Sequence, residues 1–244
     1  MESSQNVAAV STGFATLLLL AIDTCGPSGS VALGRSIGPR VEILGHFELE
    51  GRTYSSTVIT AVANLLNDAG ITLKDLAAIV AVHGPGSFTG VRIGLSAVKG
   101  LAEPLQIPVA VVSRLHVLAS KTGLQSAALD AHRGEVFLRI TIPTTASVLP
   151  APVEILAGTA ELKAINPFPP QVAVCDEPAA ALLASVWPAT KLIQVLAPTA
   201  SDALYLAAPR VVAGAFADLA LLDGHYLRRS DAEIFGDAAE AKHA

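Results

Sequence analysis

The sequence predicts an α/β protein made of two lobes of duplicated β-β-β-α-β-α layout. Three observations carry that expectation. Hydrophobic residues make up 52% of the 244 positions, largely Ala, Val and Leu with one Trp and three Tyr, a composition suited to close-packed strands and small-residue helices around a sizeable core. Short apolar runs of strand length alternate with stretches of helical period. The order of these elements in the second half echoes the first.

Met1–Ala15 is rich in Ser, Asn and Thr without a period and reads as a flexible extension. Leu17–Asp23 is a continuous apolar run, Cys25–Ser30 a Gly/Pro/Ser turn, and Val31–Gly34 apolar again, which predicts a hairpin. Val41–Leu49 alternates and adds a third strand. Over Tyr54–Ala69, Val58, Ile59, Val62, Leu65 and Leu66 recur at helical spacing, with Gly70 at the stop. Leu76–Val82 is too short and too β-branched for a helix and reads as a buried parallel strand. A helix over Thr89–Leu105, ended by Pro104 and Pro108, leads to a strand over Ile107–Val112.

In the second half, Ala127–Ala131 and Glu135–Ile142 flank His132-Arg133-Gly134 as a hairpin, Val153–Leu156 is a strand and Ala157–Ile165 a helix. After the Pro-rich break at Asn166–Pro170 come a strand (Val172–Cys175), a helix (Pro178–Val186), a strand (Leu192–Val195) and an Ala-rich helix (Ser201–Ala217). The domain organisation expected is an extension over 1–15, a first lobe over 16–112, a second over 113–200, the helix 201–217 returning to the first lobe, and a C-terminal segment and tail over 218–244.

Charge narrows the function classes. Sixteen Lys and Arg against 21 Asp and Glu leave a net charge of −5, which opposes unspecific binding to phosphate backbones. The apolar run Leu17–Ile22 ends at Asp23, far short of the ~20 residues of a spanning helix. No Lys or Arg precedes Arg35, so the basic leader of a secretory signal is missing. Cys25 and Cys175 form neither a disulfide framework nor a zinc pattern. A cytoplasmic protein without a membrane partner is expected.

The most informative segment is Gly84-Pro-Gly-Ser-Phe-Thr-Gly-Val-Arg-Ile-Gly94, which places Gly86, Gly90 and Gly94 at four-residue spacing where a strand hands over to a helix. A helix-interior glycine gives up about 1 kcal/mol relative to alanine, so something must approach that face closely. The segment lacks the Gly-Lys-Ser/Thr ending of a P-loop and the Gly-x-Gly-x-x-Gly spacing of a dinucleotide site. Ser87 and Thr89 are potential helix caps. Three readings stay open: packing within the chain, an anion at the helix N-terminus, or another subunit lying on the stripe of Gly90, Gly94, Ala97 or Val98, and Leu101, with Arg92 and Lys99 as a polar rim.

Other candidates are weaker. None of the six histidines has a second one at helical ligand spacing, so no metal site is expected. Cys25 and Ser87 show no local base to activate them as nucleophiles. Asp130-Ala-His-Arg-Gly-Glu135 is a charged hairpin tip, a solvated turn or a contact surface. The Asp23-Thr24-Cys25-Gly26 turn is where duplicated folds of this kind hold phosphate when they hold any.

Several separated segments agree with one family. Leu19-Ala-Ile-Asp-Thr24, the 84–94 loop, Ala97-Val-Lys-Gly-Leu-Ala102, Ile107-Pro108 with Val112-Ser113, Asp130-Ala-His-Arg-Gly-Glu-Val136 and Tyr226-Leu-Arg228 resemble the bacterial TsaB (YeaZ) family, also labelled a glycoprotease family, over about 17–229. The resemblance implies an actin-like, ribonuclease H-like (ASKHA) fold. It also implies a non-catalytic subunit of the machinery that makes threonylcarbamoyladenosine at position 37 of tRNA. The expected partners are the catalytic paralogue TsaD in a heterodimer and the ATPase TsaE, with a homodimer through the same surface when alone, tRNA met only through the complex, and ATP only through the partner subunits.

Carried onto this chain, the subunit interface comprises Tyr54, Ser55, Val58 and Val62 on the first helix and Gly86, Thr89, Gly90, Arg92, Ile93, Gly94 and Ala97 on the second. Asp23, Thr24, Gly26 and Ser28 form a degenerate phosphate loop, and no residue is assigned to catalysis or metal. Aligned on Ile107-Pro108, the His-x-x-x-His metal ligands of the catalytic paralogue fall on Arg114 and Leu118. Tyr54-Ser55 stands where the family usually has His-Ser. The alternative is an actin-like ATPase or kinase holding magnesium near Asp23 and phosphate on Thr24–Ser28. It calls for a second Asp-x-Gly-Gly loop, and the nearest candidates are Asp130–Gly134 and Cys175-Asp176-Glu177.

Overall fold

The computed structural model describes residues 15–38, 40–51, 53–141 and 151–228. The expected extension up to residue 14, the end of the strand at Ile142 and the tail after 228 lie outside them. Among the described residues, ten strands form two five-stranded sheets. The first holds β1 (Thr16–Asp23), β2 (Gly29–Ile37), β3 (Arg40–Leu49), β4 (Ala78–Val82) and β5 (Val109–Val112) in the order β3-β2-β1-β4-β5. β1, β2 and β3 are antiparallel neighbours, while β4 pairs parallel with β1 and β5 parallel with β4.

The second sheet repeats this pattern. β6 (Ala127–Asp130), β7 (Val136–Thr141) and β8 (Pro152–Ala157) are antiparallel neighbours, and β9 (Gln171–Val174) and β10 (Lys191–Gln194) run parallel to β6, in the order β10-β9-β6-β7-β8. Two copies of a three-stranded antiparallel unit extended by two parallel strands are the actin-like arrangement.

Helices α1 (Tyr54–Asp68) and α2 (Phe88–Ala102) pack on each other and on the first sheet, and α6 (Ala200–Val212) crosses all five of its strands. β1 is therefore covered on both faces: Leu19, Leu20, Ala21 and Ile22 are all buried, the continuous apolar signature of a doubly covered strand. α3 (Arg114–Ser120) lies between the sheets, with Val117 in the first core and Leu115, Leu118 and Ala119 packed with Leu129 and Phe137 of the second. α4 (Thr159–Ala164) and α5 (Glu177–Val186) enclose the remaining core around Leu138, Leu162, Leu183 and Trp187. No helix among the described residues is long and apolar enough to cross a membrane.

Three differences from the sequence expectation have local causes. α3 is only seven residues long, too short to display a period, and its start is set by Ser113 Oγ, which accepts the His116 N–H at 3.4 Å. α6 stops at Val212 because Gly214 adopts φ +69°, the left-handed conformation that ends helices, although the Ala-rich composition continues. Ile59, expected on the buried face of α1, is 48% exposed, since the core stripe is completed by Val58, Ala61, Val62, Leu65 and Leu66 without it.

Candidate functional site

The glycine loop closes on the chain's own first turn. Ser87 Oγ caps α2 by accepting the Gly90 N–H at 3.2 Å, and Ser87 N–H donates to the Cys25 carbonyl at 2.8 Å. Thr24 Oγ1 donates to the Gly90 carbonyl at 2.7 Å, and the Cys25 thiol donates to the Val82 carbonyl at 3.2 Å. A Cβ on Gly86 would overlap the Cys25 carbonyl, one on Gly90 the Thr24 carbonyl, and one on Gly94 the Thr24 hydroxyl. Bare backbone here is required by an intramolecular contact. The expectation that Gly86, Gly90 and Gly94 meet another subunit is therefore corrected: Gly90 and Gly94 are buried and Gly86 half-buried against Thr24 and Cys25.

The same correction applies to part of α1. Tyr54 is buried, with its hydroxyl donating to the Gly26 carbonyl at 2.8 Å, so it braces the first turn from within. Burial, with Asp23 adding to it, pushes the Tyr54 hydroxyl up to about 12, so it stays a neutral donor. Val58 and Val62 belong to the first core. What α1 and α2 present outward is Ser55, Thr89 and Arg92, with Ile93 and Ala97 partly exposed. Ile59, Ser96 and Gly100, which the sequence reading does not assign to the surface, join them.

The phosphate-loop residues are differently placed. Asp23, Thr24 and Gly26 are buried and Ser28 is exposed. Asp23 Oδ1 accepts the Cys25 N–H at 2.8 Å, and Oδ2 faces Arg114 Nε at 3.4 Å in a pair with side-chain exposures of 1% and 7%. The Arg114 guanidinium fills the space over Gly26, where even a Cβ would overlap it. A metal-bound phosphate needs a carboxylate oxygen and open volume at that point, and Arg114 takes both. These residues do not fit a metal–nucleotide group.

Neither thiol is poised for attack. Burial, reinforced by Asp23, pushes Cys25 well above the usual thiol range, and burial with Asp176 pushes Cys175 up to about 11. At the hairpin tip the His132 N–H donates to Asp130 Oδ1 at 2.7 Å and the His132 ring lies 2.9 Å from Asp130 Oδ2, while Glu135 pairs with Arg228 beyond α6.

A buried polar cluster between the sheets escapes sequence reasoning. The Glu154 carboxylate on β8 accepts from Ser113 Oγ at 2.6 and 2.7 Å, from Arg139 Nη1 at 2.8 Å, and pairs with His225 Nε2 at 2.8 Å. Burial alone raises Glu154, but the bonds from His225, Ser113 and Arg139 together outweigh it and hold the carboxyl below its usual range. The His225 ring stacks on His83, with centroids 5.4 Å apart. Burial first, then His225, lowers His83; burial, then Arg139, lowers His116. Ser, Glu and His meet here in the wrong order for hydrolysis, because the carboxylate stands between hydroxyl and imidazole and takes the serine proton bond itself. Its members come from positions 113, 139, 154 and 225, so no local motif announces them. Among the described residues no three His, Cys, Asp or Glu side chains converge as metal ligands.

Residues 47–151 match the family model described as TsaD: tRNA N6-adenosine threonylcarbamoyltransferase. Over 125 residues the chain is 39% identical to the tRNA threonylcarbamoyladenosine biosynthesis protein TsaB of Bacillus subtilis, covering 50% of this chain and 53% of that one. The solved structure described as YeaZ from Pseudomonas aeruginosa superposes with a TM-score of 0.64 at 26% identity, over 86% of this chain and 100% of that one. The chain belongs to the TsaB (YeaZ) family. A second Pseudomonas aeruginosa structure, described as an uncharacterized protein with similarity to peptidase YEAZ, agrees at a TM-score of 0.70 and 28% identity, over 87% of this chain and 100% of that one. The chain spans about half the length of the curated TsaB relatives it matches. The resemblance drawn from the glycine loop and the separated segments is thereby borne out, as is the duplicated actin-like fold of a TsaB protein.

Proposed function

We propose that this chain is the non-catalytic scaffold subunit of the tRNA (adenosine-37) threonylcarbamoyltransferase complex, and that it docks a TsaD subunit on the outward faces of α1 and α2. Membership of the TsaB family supports the pathway, since the curated relatives are named for tRNA threonylcarbamoyladenosine biosynthesis. The observation that carries the scaffold role is Arg114. It stands at the first of the two positions where the catalytic paralogue has metal-binding histidines, and it neutralises Asp23 in the turn that would hold a nucleotide. The second position, Leu118, is buried in the apolar core between the sheets. ATP then enters through TsaD and TsaE, tRNA is met through the complex, and the site of action is the cytoplasm. When alone the chain pairs with itself through the same face.

The docking surface in this reading is Ser55, Ile59, Thr89, Arg92, Ile93 and Ala97, not the glycines. Small and apolar centres with a polar rim are the usual anatomy of such a patch. The test is reconstitution: the chain, its cognate TsaD and TsaE, and unmodified tRNA are mixed, and threonylcarbamoyladenosine is counted. Modification should depend on this chain, and Ile59→Glu, at a residue 48% exposed and outside the core, should abolish both co-elution with TsaD and activity while the variant stays folded. Undiminished modification without the chain would overturn the reading. Micromolar binding of Mg-ATP to the isolated chain, measured by calorimetry, would favour the ATPase alternative instead.

A further inference from the structure

After α6 the chain turns back and crosses from one lobe to the other. Ala217 N–H donates to the Val109 carbonyl at 2.8 Å and His225 N–H to the His83 carbonyl at 2.7 Å, both on the first lobe. The His225 ring and the Arg228 guanidinium then reach Glu154 and Glu135 of the second. Residues 217–228 thus form a strap tied down on both sides.

Between its two side-chain anchors lies Tyr226, whose ring centroid is 4.7 Å from that of Phe88. Phe88 is the first residue of α2. One turn along, the Arg92 guanidinium carbon sits 3.9 Å from the same Phe88 centroid. Arg92 is exposed, and it forms no ion pair with any of the described residues.

A guanidinium laid on an aromatic face keeps its in-plane N–H fork open to a planar acceptor. Holding it there in advance also removes part of the side-chain entropy that binding would otherwise consume. The floor of this arrangement, Phe88, is itself held by the strap. Around Arg92 the outward face carries Thr89, Ile93, Ser96 and Ala97, small or apolar and uncharged. Arg92 is the exposed cation of a largely uncharged patch, with half-buried Lys99 two turns further along α2; so sparse a charge matches a carboxylate on a protein surface, whereas a phosphate backbone calls for several cations, and the net charge of −5 works against it.

We propose that Tyr226 is a positioning residue of the docking face: it fixes Phe88, Phe88 fixes the Arg92 guanidinium, and Arg92 takes a carboxylate of the partner subunit. This rests on α1 and α2 being the docking face, and the experiment separates the two claims. Affinity of the full chain for its TsaD subunit is measured by calorimetry at several salt concentrations. Arg92→Ala should bind about tenfold more weakly with a flatter salt dependence, and Arg92→Lys should recover only part of the loss. Tyr226→Ala should weaken binding several-fold, whereas Tyr226→Phe, which keeps the ring, should bind like the parent. Phe88→Leu removes the stacking platform while leaving the strap's own residues in place and should resemble Tyr226→Ala, so the inference stays testable if the strap variant unfolds.

Unchanged affinity for Arg92→Ala, or for both Tyr226→Ala and Phe88→Leu, overturns the proposal. So does an Arg92→Ala complex that forms normally but loses tRNA affinity, because the arginine would then be reading phosphate. If Ile59→Glu abolishes docking while Arg92→Ala does not, only this inference falls; if Ile59→Glu also docks normally, the face itself is wrongly placed.

Discussion

Thr24 touches α2 twice, donating its hydroxyl to the Gly90 carbonyl while its own carbonyl fills the place of a Gly90 side chain. Gly90→Ala gains helix propensity of about 1 kcal/mol but forces backbone atoms apart, an overpacking cost of about 1–3 kcal/mol. The expected outcome is a lower urea midpoint, with Gly94→Val lower still. Arg114 and Asp23 form a nearly dry pair, so Arg114→Met strands a buried carboxylate and should cost about 3–5 kcal/mol. The double variant Asp23→Asn with Arg114→Met should recover a large part of that in chemical denaturation, since two neutral groups of similar size need no counter-charge. Equal stability of all three would show that the pair is not what holds the turn. The sequence places Asp23 in a turn and Arg114 after a strand, but nothing local joins residues 91 positions apart.

Among the elements, the strands were the most legible. β1, β4 and β5 are apolar runs bounded by turn residues, and each lies within about two residues of its expected limits, because a doubly covered strand excludes polar side chains throughout. α2 was legible as a helix but its faces were not. The glycine spacing demanded a close neighbour and left three candidates for it, and the neighbour proved to be the Thr24–Cys25 turn. The opposite face of α2 carries the exposed side chains Arg92 and Ser96, and it is the face proposed for docking. Ile59 is 48% exposed on α1, so Ile59→Lys should leave thermal stability within about 0.5 kcal/mol, as a surface change does, while, on the proposed docking face, weakening the TsaD complex in size-exclusion experiments. A large loss of stability would place Ile59 in the core instead.

At the scale of the molecule, the two lobes are joined by charge as well as by α3. Ser113, Arg139 and His225 converge on Glu154, and Lys121 reaches Asp202 at 2.6 Å. These ties make stability depend on acidity in one direction. Glu154, His83 and His116 all titrate lower in the fold than in the free chain, so each contributes stability that is complete above its unfolded value and lost as pH falls through its folded one. The melting temperature should therefore decline once pH drops below about 6.5, the ordinary histidine value, and decline again below 4.5, the ordinary glutamate value. His83→Gln should flatten the first decline and Glu154→Gln the second, read by thermal melts from pH 8 to pH 3. A melting temperature that rises on acidification would contradict the assignment.

The sequence by itself determined which segments are strands and helices, that the layout is duplicated, and that the 84–94 loop must meet something at van der Waals range. Those are properties of neighbouring residues: hydrophobic period, turn chemistry and the absence of side chains. Only the tertiary structure decided what the glycines touch, that Arg114 closes the Asp23 turn, and that Ser113, Arg139 and His225 meet at Glu154. Each of these depends on where the chain returns to after tens of residues, and burial, which makes such contacts strong, is set by the whole packing and is not written at any single position.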